Sequence, residues 1–448
     1  MLDFSTIVAL STHPGRAAIA LVRLSGSTAY QIVTALFDRA DELLQRPPAN
    51  AVTGLITTPA SGQLDEVIIT RYRQPHSYTG EDLVEISCHG STYIVEQLLK
   101  ACCDLGARPA TPGEFTRRAF LNDKLDLTGA ESVEALINAT TAFSHRNALI
   151  QLNGRLYDLL RQMRQQIIDL YALLEAELDF SEEEITHTPA GELRQRVNII
   201  IRSQEELLAS YRLGRLARGA QVVITGPPNV GKSTLMNRLL REDRVIVTPE
   251  SGTTRDAVSA AIDIQGILVT LWDTAGLRDT TDAVEQEGIA RSQRAIQSAD
   301  VVIHLQDCQA ELPDAAATEL ISPAVSVLQV WNKYDLNPQF TVPAGQLAIS
   351  AATGTGIEEL LATLYETLTG GEGLPGDEVL LTNLRHYQLL QQARQHLLEV
   401  KRELSAGVDH SLVVIFLRDA AEAIGSIDGS FDIEEVLDGI FSRFCIGK

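Results

Sequence analysis

Positive charge is what this sequence is shortest of. Lysine and arginine number 37 against 59 aspartates and glutamates, a formal charge of −22. Bulk attraction for a polyanion is therefore excluded, and any grip on nucleic acid must come from a local patch or a basic partner. No apolar run approaches the ~20 residues that cross a bilayer. The opening Met1-Leu2-Asp3-Phe4-Ser5 has no basic stretch leading into an apolar one, so we expect a cytoplasmic protein. Cysteine is scarce and odd in number. Cys88, Cys102, Cys103, Cys308 and Cys445 form no CxxC pair, which argues against a disulfide framework or a zinc ribbon. The ending Cys445-Ile446-Gly447-Lys448 is a poor prenylation signal, because glycine and lysine ill suit its last two places. Apolar material is not lacking. With 45% hydrophobic and 21% charged residues over 448 positions, the chain can build cores for about three domains.

Residues 1–118 mix strand-like runs (Ile19 to Val22, Val67 to Ile69) with a helical stretch from Tyr93 to Leu105, which predicts an α+β domain. After the turn Thr111-Pro112-Gly113-Glu114 the pattern becomes helical over 119–216. Leu149, Leu152, Leu156, Leu159, Met163, Ile167, Leu170 and Leu174 recur at helical spacing and predict one buried face. Residues 217–377 switch to short β-branched runs between helices, the rhythm of a parallel sheet wrapped on both sides. Helical sequence returns over 378–448, so an α/β unit is predicted as an insertion within a helical domain.

The inserted unit carries the chemistry. Gly226-Pro227-Pro228-Asn229-Val230-Gly231-Lys232-Ser233 follows a predicted strand and runs into a helix through Thr234. Glycines let backbone N–H groups turn toward phosphate oxygens, Lys232 neutralises the β and γ phosphates, and Ser233 offers an oxygen to Mg²⁺. Asp273-Thr274-Ala275-Gly276 comes directly after the predicted strand Leu268 to Trp272, with Asp273 placed to hold Mg²⁺ through water and the Gly276 N–H to sense the γ-phosphate. Asn332-Lys333-Tyr334-Asp335 puts a carboxylate where guanine N1–H and its exocyclic amine can both donate. Ser350-Ala351-Ala352 supplies a backbone donor for guanine O6. These elements in this order predict GTP over ATP. The loop between them, Thr248-Pro249-Glu250-Ser251-Gly252-Thr253-Thr254, can wrap the γ-phosphate, with Thr254 a second Mg²⁺ ligand. Leu277 stands where many regulatory GTPases have a water-orienting glutamine, so one of the carboxylates downstream, Asp279, Asp282, Glu285 or Glu287, must orient the water.

These motifs, Leu277 in place of glutamine, the insertion within helices and the ending F-C-I-G-K together resemble the bacterial tRNA-modification GTPase family MnmE, also called TrmE. The opening T-I-V-A-L…P-G-R-A-A-I-A-L-V-R-L-S-G, then T-G-E-D-L-V-E and R-A-F-L-N-D-K-L-D-L, extends the likeness over nearly the whole chain. The resemblance implies a multidomain α/β protein: an α+β amino-terminal domain, a helical domain and an inserted, doubly wound P-loop GTPase domain. It implies a homodimer joined through the amino-terminal domains, with G domains that pair in GTP and potassium. Asn229, Thr248, Glu250 and Thr253 match the K⁺ positions, and Glu285 the carboxylate that orients attacking water. The implied partner is the flavoprotein MnmG, which carries FAD, in a heterotetramer or larger. The pair modifies carbon 5 of the wobble uridine in certain tRNAs, using 5-formyl- or 5,10-methylene-tetrahydrofolate as one-carbon donor. Arg23, Glu85, Lys124 and Lys448 match the folate-binding positions, and Cys445 the family's carboxyl-terminal cysteine, a nucleophile or an organiser of the tail. The acidic balance casts the chain as motor and one-carbon holder, with the partner carrying most of the RNA. A ribosome-assembly GTPase, acting as a nucleotide-switched RNA-binding module, is the alternative. A signalling switch is a third, and it leaves the amino-terminal domain and Cys445 without a role.

Overall fold

Strand alternation in the first hundred residues and near-continuous β-branched runs in the middle build two different sheets. The computed structural model describes residues 5–59, 61–179, 188–241, 259–273, 297, 299–310, 325–406, 410–430, 440–441 and 444–447. The chain forms two units: Met1–Glu134 with Leu152–Gln165 and Ala421–Lys448, and Ala135–Gln151 with Gln166–Ala420.

The first unit holds a six-stranded sheet in the order β3-β4-β5-β2-β1-β6. Its strands are β1 Ile7–Leu10, β2 Ala17–Ser25, β3 Ala51–Thr58, β4 Gly62–Tyr72, β5 Leu83–Gly90 and β6 Arg108–Pro109. All pairings are antiparallel except β1 with β6. Every second residue of β3 is buried, as expected of a sheet covered on one face. Helices α1 (Ala29–Leu36) and α3 (Thr92–Asp104) supply that cover: Ile32, Val33, Leu98 and Cys102 join Val22, Leu24, Ile56 and Ile86 in one core. The short α2 (Ala40–Gln45) adds Leu43. A smaller cluster joins α5 (Leu127–Ile137), through Leu127, Ala130 and Val133, to Phe441 and Phe444 near the carboxyl end, with Phe120 of α4 (Glu114–Leu121) packed against it.

In the second unit six strands run in the order β12-β11-β10-β7-β9-β8. They are β7 Ala220–Thr225, β8 Ser259–Ile264, β9 Ile267–Asp273, β10 Val301–Asp307, β11 Ser326–Asn332 and β12 Leu347–Ala348. All are parallel except β8, which turns back on β9. The first six residues of β10 are all buried, because both faces of a parallel sheet are covered. The chain enters and leaves this sheet at one place. The Leu381 N–H donates to Ser210 Oγ at 3.1 Å, and Gln151 Nε2 donates to Leu380 O at 3.1 Å and Thr382 Oγ1 at 3.0 Å.

The helical periodicity is observed with one change. Gly154, at φ +79°, separates α6 (Ala142–Leu152) from α7 (Arg155–Asp179). Leu160 is buried where the spacing predicts Leu159, because at about 3.6 residues per turn position 160 lies closer to the stripe through Leu156, Met163 and Ile167; Leu149 and Leu152 are half-buried. From Leu156 onward, Met163, Ile167, Leu170 and Leu174 follow as expected. In α8 (Ala190–Gly214), Leu193, Val197, Ile200, Ile201 and Leu207 are buried, and the packed helix Leu384–Ala406 answers with Leu390, Ala393, Leu397, Val400 and Leu404. Among the described residues no helix is long and apolar enough to cross a membrane. All five cysteines are free thiols. Burial pushes Cys88 and Cys308 up to about 11 and Cys102 up to about 12, so these three are inert fillers of the fold.

Candidate functional site

The phosphate loop leaves the carboxyl end of β7 and enters α9 (Lys232–Arg241). Its glycines are required by space. A side chain on Gly226 would meet Leu305 O at 2.4 Å, and one on Gly231 would meet Asn332 Nδ2 at 2.3 Å. Asn229 itself adopts φ +61°, a conformation asparagine tolerates, and is exposed. Val230 is buried beneath the loop. Lys232 is 7% exposed, and its ammonium donates to Gly226 O and Pro227 O, both at 2.9 Å. Ser233 Oγ donates to Asp273 Oδ2 at 2.8 Å, so the two expected Mg²⁺-side oxygens, 40 residues apart, meet at the ends of parallel neighbours β7 and β9. Hard oxygen donors beside a phosphate loop fit Mg²⁺ held jointly with a nucleotide. Thr234 is exposed on the first turn of α9.

On the other side of the loop, Asn332 is a brace. It is 2% exposed, its amide donates to Val230 O at 2.8 Å, and its Oδ1 accepts from the Ala351 N–H at 3.0 Å. This amide therefore ties the phosphate loop to Ser350-Ala351-Ala352, whose carbonyls at Ala351 and Ala352 also accept from Arg238. Lys333 sits at φ +64° and its ammonium reaches Asp307 Oδ2 at 2.6 Å. That lysine backbone turns the chain so that Asp335 follows in the short turn Tyr334–Leu336, exposed to solvent. Thr248, Pro249, Glu250, Ser251, Gly252, Thr253, Thr254, Thr274, Ala275, Gly276 and Glu285 lie outside the described residues, as does Lys448.

A second polar centre lies in the first unit. Arg23 on β2 and Glu85 on β5 are register partners, and the guanidinium donates twice to Glu85 Oε1, at 3.0 and 2.7 Å. Its carbon stands 5.1 Å from the centre of the Tyr78 ring and 5.7 Å from that of Phe115. Burial raises the Tyr78 phenol, which stays protonated and bonded to Thr116 Oγ1 at 2.8 Å. A flat cation between aromatic faces and a carboxylate can hold a planar, hydrogen-bonding heterocycle. Lys124 is exposed, and its Cγ would be 3.3 Å from a side chain placed on Gly80. The carboxyl tail is seated in the same unit: Ser11 Oγ donates to Gly447 O at 3.0 Å, and the Gly113 N–H to Cys445 O at 3.5 Å. The Cys445 residue is exposed.

Missed in the sequence is the network that holds this centre. Arg118 is 6% exposed and donates to Glu81 Oε2 and Glu114 Oε1, both at 3.0 Å, and to Ser5 O at 2.8 Å. Arg108 adds two bonds to Glu114, at 2.8 and 2.6 Å, and the Thr111 N–H a third at 2.9 Å. The E-D of the T-G-E-D-L-V-E motif was visible, but not its partner 37 residues on. Burial alone would raise the Glu114 carboxyl, yet bonds from Arg108, Thr111 and Arg118 outweigh it and hold the group down at about 2. A depressed carboxyl contributes stability in full above its unfolded value and loses it as pH falls through the folded one. Between about pH 4.5 and 2 the unit should therefore lose about 3 kcal/mol from this group. Acid unfolding followed for the wild type and Glu114→Gln checks it; identical acid profiles would remove Glu114 from that role.

Two family models match the sequence. One, for the MnmE helical domain, covers residues 127–445, and the other, for the GTP-binding protein TrmE N-terminus, covers residues 6–124. The tRNA modification GTPase MnmE of Symbiobacterium thermophilum is 40% identical over 456 residues, covering 99% of each chain. Its counterpart in Bordetella petrii is 42% identical over 453 residues, covering 99% of this chain and 98% of the other. That of Salinibacter ruber is 39% identical over 470 residues and covers both chains fully. With a phosphate loop whose serine meets Asp273 and whose Val230 is braced by Asn332 at one end of the parallel sheet, and with likeness running the length of the chain, this protein belongs to the MnmE family of tRNA modification GTPases and is a GTP hydrolase.

Proposed function

We propose that this chain is a cytoplasmic, potassium-activated GTPase that works with the flavoprotein MnmG, the FAD carrier, to modify carbon 5 of the wobble uridine in certain tRNAs. The observation that carries the reading is the pairing of two centres in one chain: a guanine-nucleotide site, and a cation–aromatic–carboxylate cluster at Arg23, Tyr78 and Glu85 suited to a folate ring. In this reading residues 1–118 bind the one-carbon tetrahydrofolate and join two copies, with Lys124 and Lys448 completing the pocket. Residues 119–216 and 378–448 form the helical domain, and 217–377 the G domain. Ser233 and Thr254 hold Mg²⁺, while Asn229, Thr248, Glu250 and Thr253 offer oxygens to K⁺. A cation there neutralises the negative charge that develops on the phosphates, the task an arginine performs in other GTPases. Glu285 orients the attacking water. The exposed Cys445, on a tail seated between Gly113 and Ser11, presents a thiol in the folate-side unit.

Mass spectrometry of wobble uridines from cells lacking the protein tests the substrate: carbon 5 should be unmodified, and full modification would refute the reading. Potassium and Glu285 share one kinetic test. Exchange of K⁺ for Na⁺, and separately Glu285→Ala in K⁺, should each lower turnover at least about tenfold while nucleotide affinity is kept. A rate indifferent to the cation would remove the K⁺ assignments, and an active alanine variant that of Glu285.

A further inference from the structure

An acidic protein whose substrate is RNA needs a local place to hold phosphate, and one groove has the chemistry. It lies between α8 and the helix Leu384–Ala406, encloses about 640 Å³, and is lined by Arg194, Gln195, Asn198, Arg202, Ser203 and Lys401. From Leu193 to Gln204 the chain has three arginines and no acid. The carboxylates nearest in sequence to the lining cations are engaged with arginines outside the groove: Glu192 with Arg196 at 2.6 Å, Glu205 with Arg394 at 2.5 Å, and Glu399 and Glu403 with Arg402 at 2.7 and 3.0 Å. Among the described residues Arg194, Arg202 and Lys401 have no ion-pair partner; Arg194 makes only a bond to Ala190 O at 3.3 Å. Three uncompensated positive charges thus share one exposed groove in a chain of net charge −22.

We propose that this groove docks the sugar–phosphate backbone of the tRNA, a step that rests on tRNA being the substrate. Three features select that ligand over an acidic protein segment. Guanidinium, ammonium, amide and hydroxyl groups in the lining are all hydrogen-bond donors suited to phosphate oxygens. Among the described residues no aromatic side chain lines the groove and Ile199 is its one large apolar residue, so the lining they form lacks the buried anchors on which protein interfaces depend. Arg194 and Arg202 stand eight residues apart on one helix, about 12 Å along its axis, which follows an extended charged strand better than a point carboxylate. The absence of aromatic faces also means that bases are not stacked here; the contact positions the RNA and leaves sequence unread. Remote acids oppose it weakly, since charges beyond about 8–10 Å are screened at physiological salt.

The test is equilibrium binding of an unmodified tRNA transcript to the full chain across a salt series. The variant Arg194→Gln/Arg202→Gln/Lys401→Gln should weaken binding about tenfold or more and reduce the salt slope by about 2. The control Lys100→Gln/Arg146→Gln/Arg161→Gln removes the same net charge at exposed positions outside the groove, leaves the ion pairs beside it intact, and should leave both within about twofold. GTP hydrolysis should be unchanged in both, because none of the six touches the nucleotide loops. Equal weakening in both variants, no weakening in either, a wild type that binds no tRNA, or loss of an acidic protein partner with RNA binding kept would each overturn the proposal. A deletion strain with unmodified wobble uridines alongside any of these would fault the groove and leave the substrate assignment standing.

Discussion

Asp335→Asn is expected to lower GTP affinity by about 10³-fold and to raise affinity for xanthosine triphosphate above that for GTP. On the proposed assignment the Asp335 carboxylate accepts from guanine N1–H and from the exocyclic amine, two charge-assisted bonds of about 1.5–3 kcal/mol each. Asparagine keeps one acceptor and turns its amide donors on the amine, donor against donor; xanthine has a carbonyl there and restores the match. The structure makes the change local. Asp335 follows Lys333 at φ +64°, and its turn is held by the Tyr334 N–H bond to Ile349 O at 3.1 Å and by the Asn332 brace. None of these uses the Asp335 side chain, so the fold should persist. Titration with fluorescent nucleotides measures both constants; GTP binding retained within tenfold would remove Asp335 from base recognition.

The second large effect is on stability. Arg118→Ala should destabilise the amino-terminal unit by about 3 kcal/mol, because it leaves Glu81, with its side chain only 17% exposed, without its cation and takes from the buried Glu114 one of its two arginines. Arg118→Lys should recover only part of this, since a single ammonium cannot span two carboxylates and the Ser5 carbonyl in a planar fork. Denaturant melts of the full chain, followed in the transition of that unit, check both. A loss under about 1 kcal/mol in the alanine variant would mean the network contributes no net stability. Because Glu81 belongs to the turn that carries Gly80, next to Lys124, the same substitution should loosen the folate-side residues before it affects nucleotide binding.

Much of the nucleotide site is legible without coordinates. Its loops are consecutive residues, and the strand before each motif reads as a short apolar run: Val222 to Ile224 and Leu268 to Trp272 lie in observed strands, and Val325 to Trp331 overlaps a third. Arg23 and Glu85, the residues we propose for folate, are legible only through family likeness. Their direct pairing comes from the register of β2 on β5, which composition does not specify. Leu160 replaces Leu159 because both fit a three-or-four spacing and only the angle at about 3.6 residues per turn puts 160 on the stripe; the break at Gly154 is likewise invisible to the spacing, which runs straight through it.

By itself, then, the order of residues determined which nucleotide is held and where the phosphate loop lies, since glycine spacing, a following helix and a carboxylate after a strand act over a few bonds. Tertiary structure alone decided that Arg118 bridges Glu81 and Glu114, that Cys445 and Gly447 sit against Gly113 and Ser11, and that Lys401 faces Arg194 and Arg202 across a groove. Apart from Glu114, one helical turn from Arg118, those partners are separated by tens to hundreds of residues. Charge and hydrogen bonding act over a few ångströms, so which of the many possible partners meet is set by strand order and helix packing, not by any local pattern.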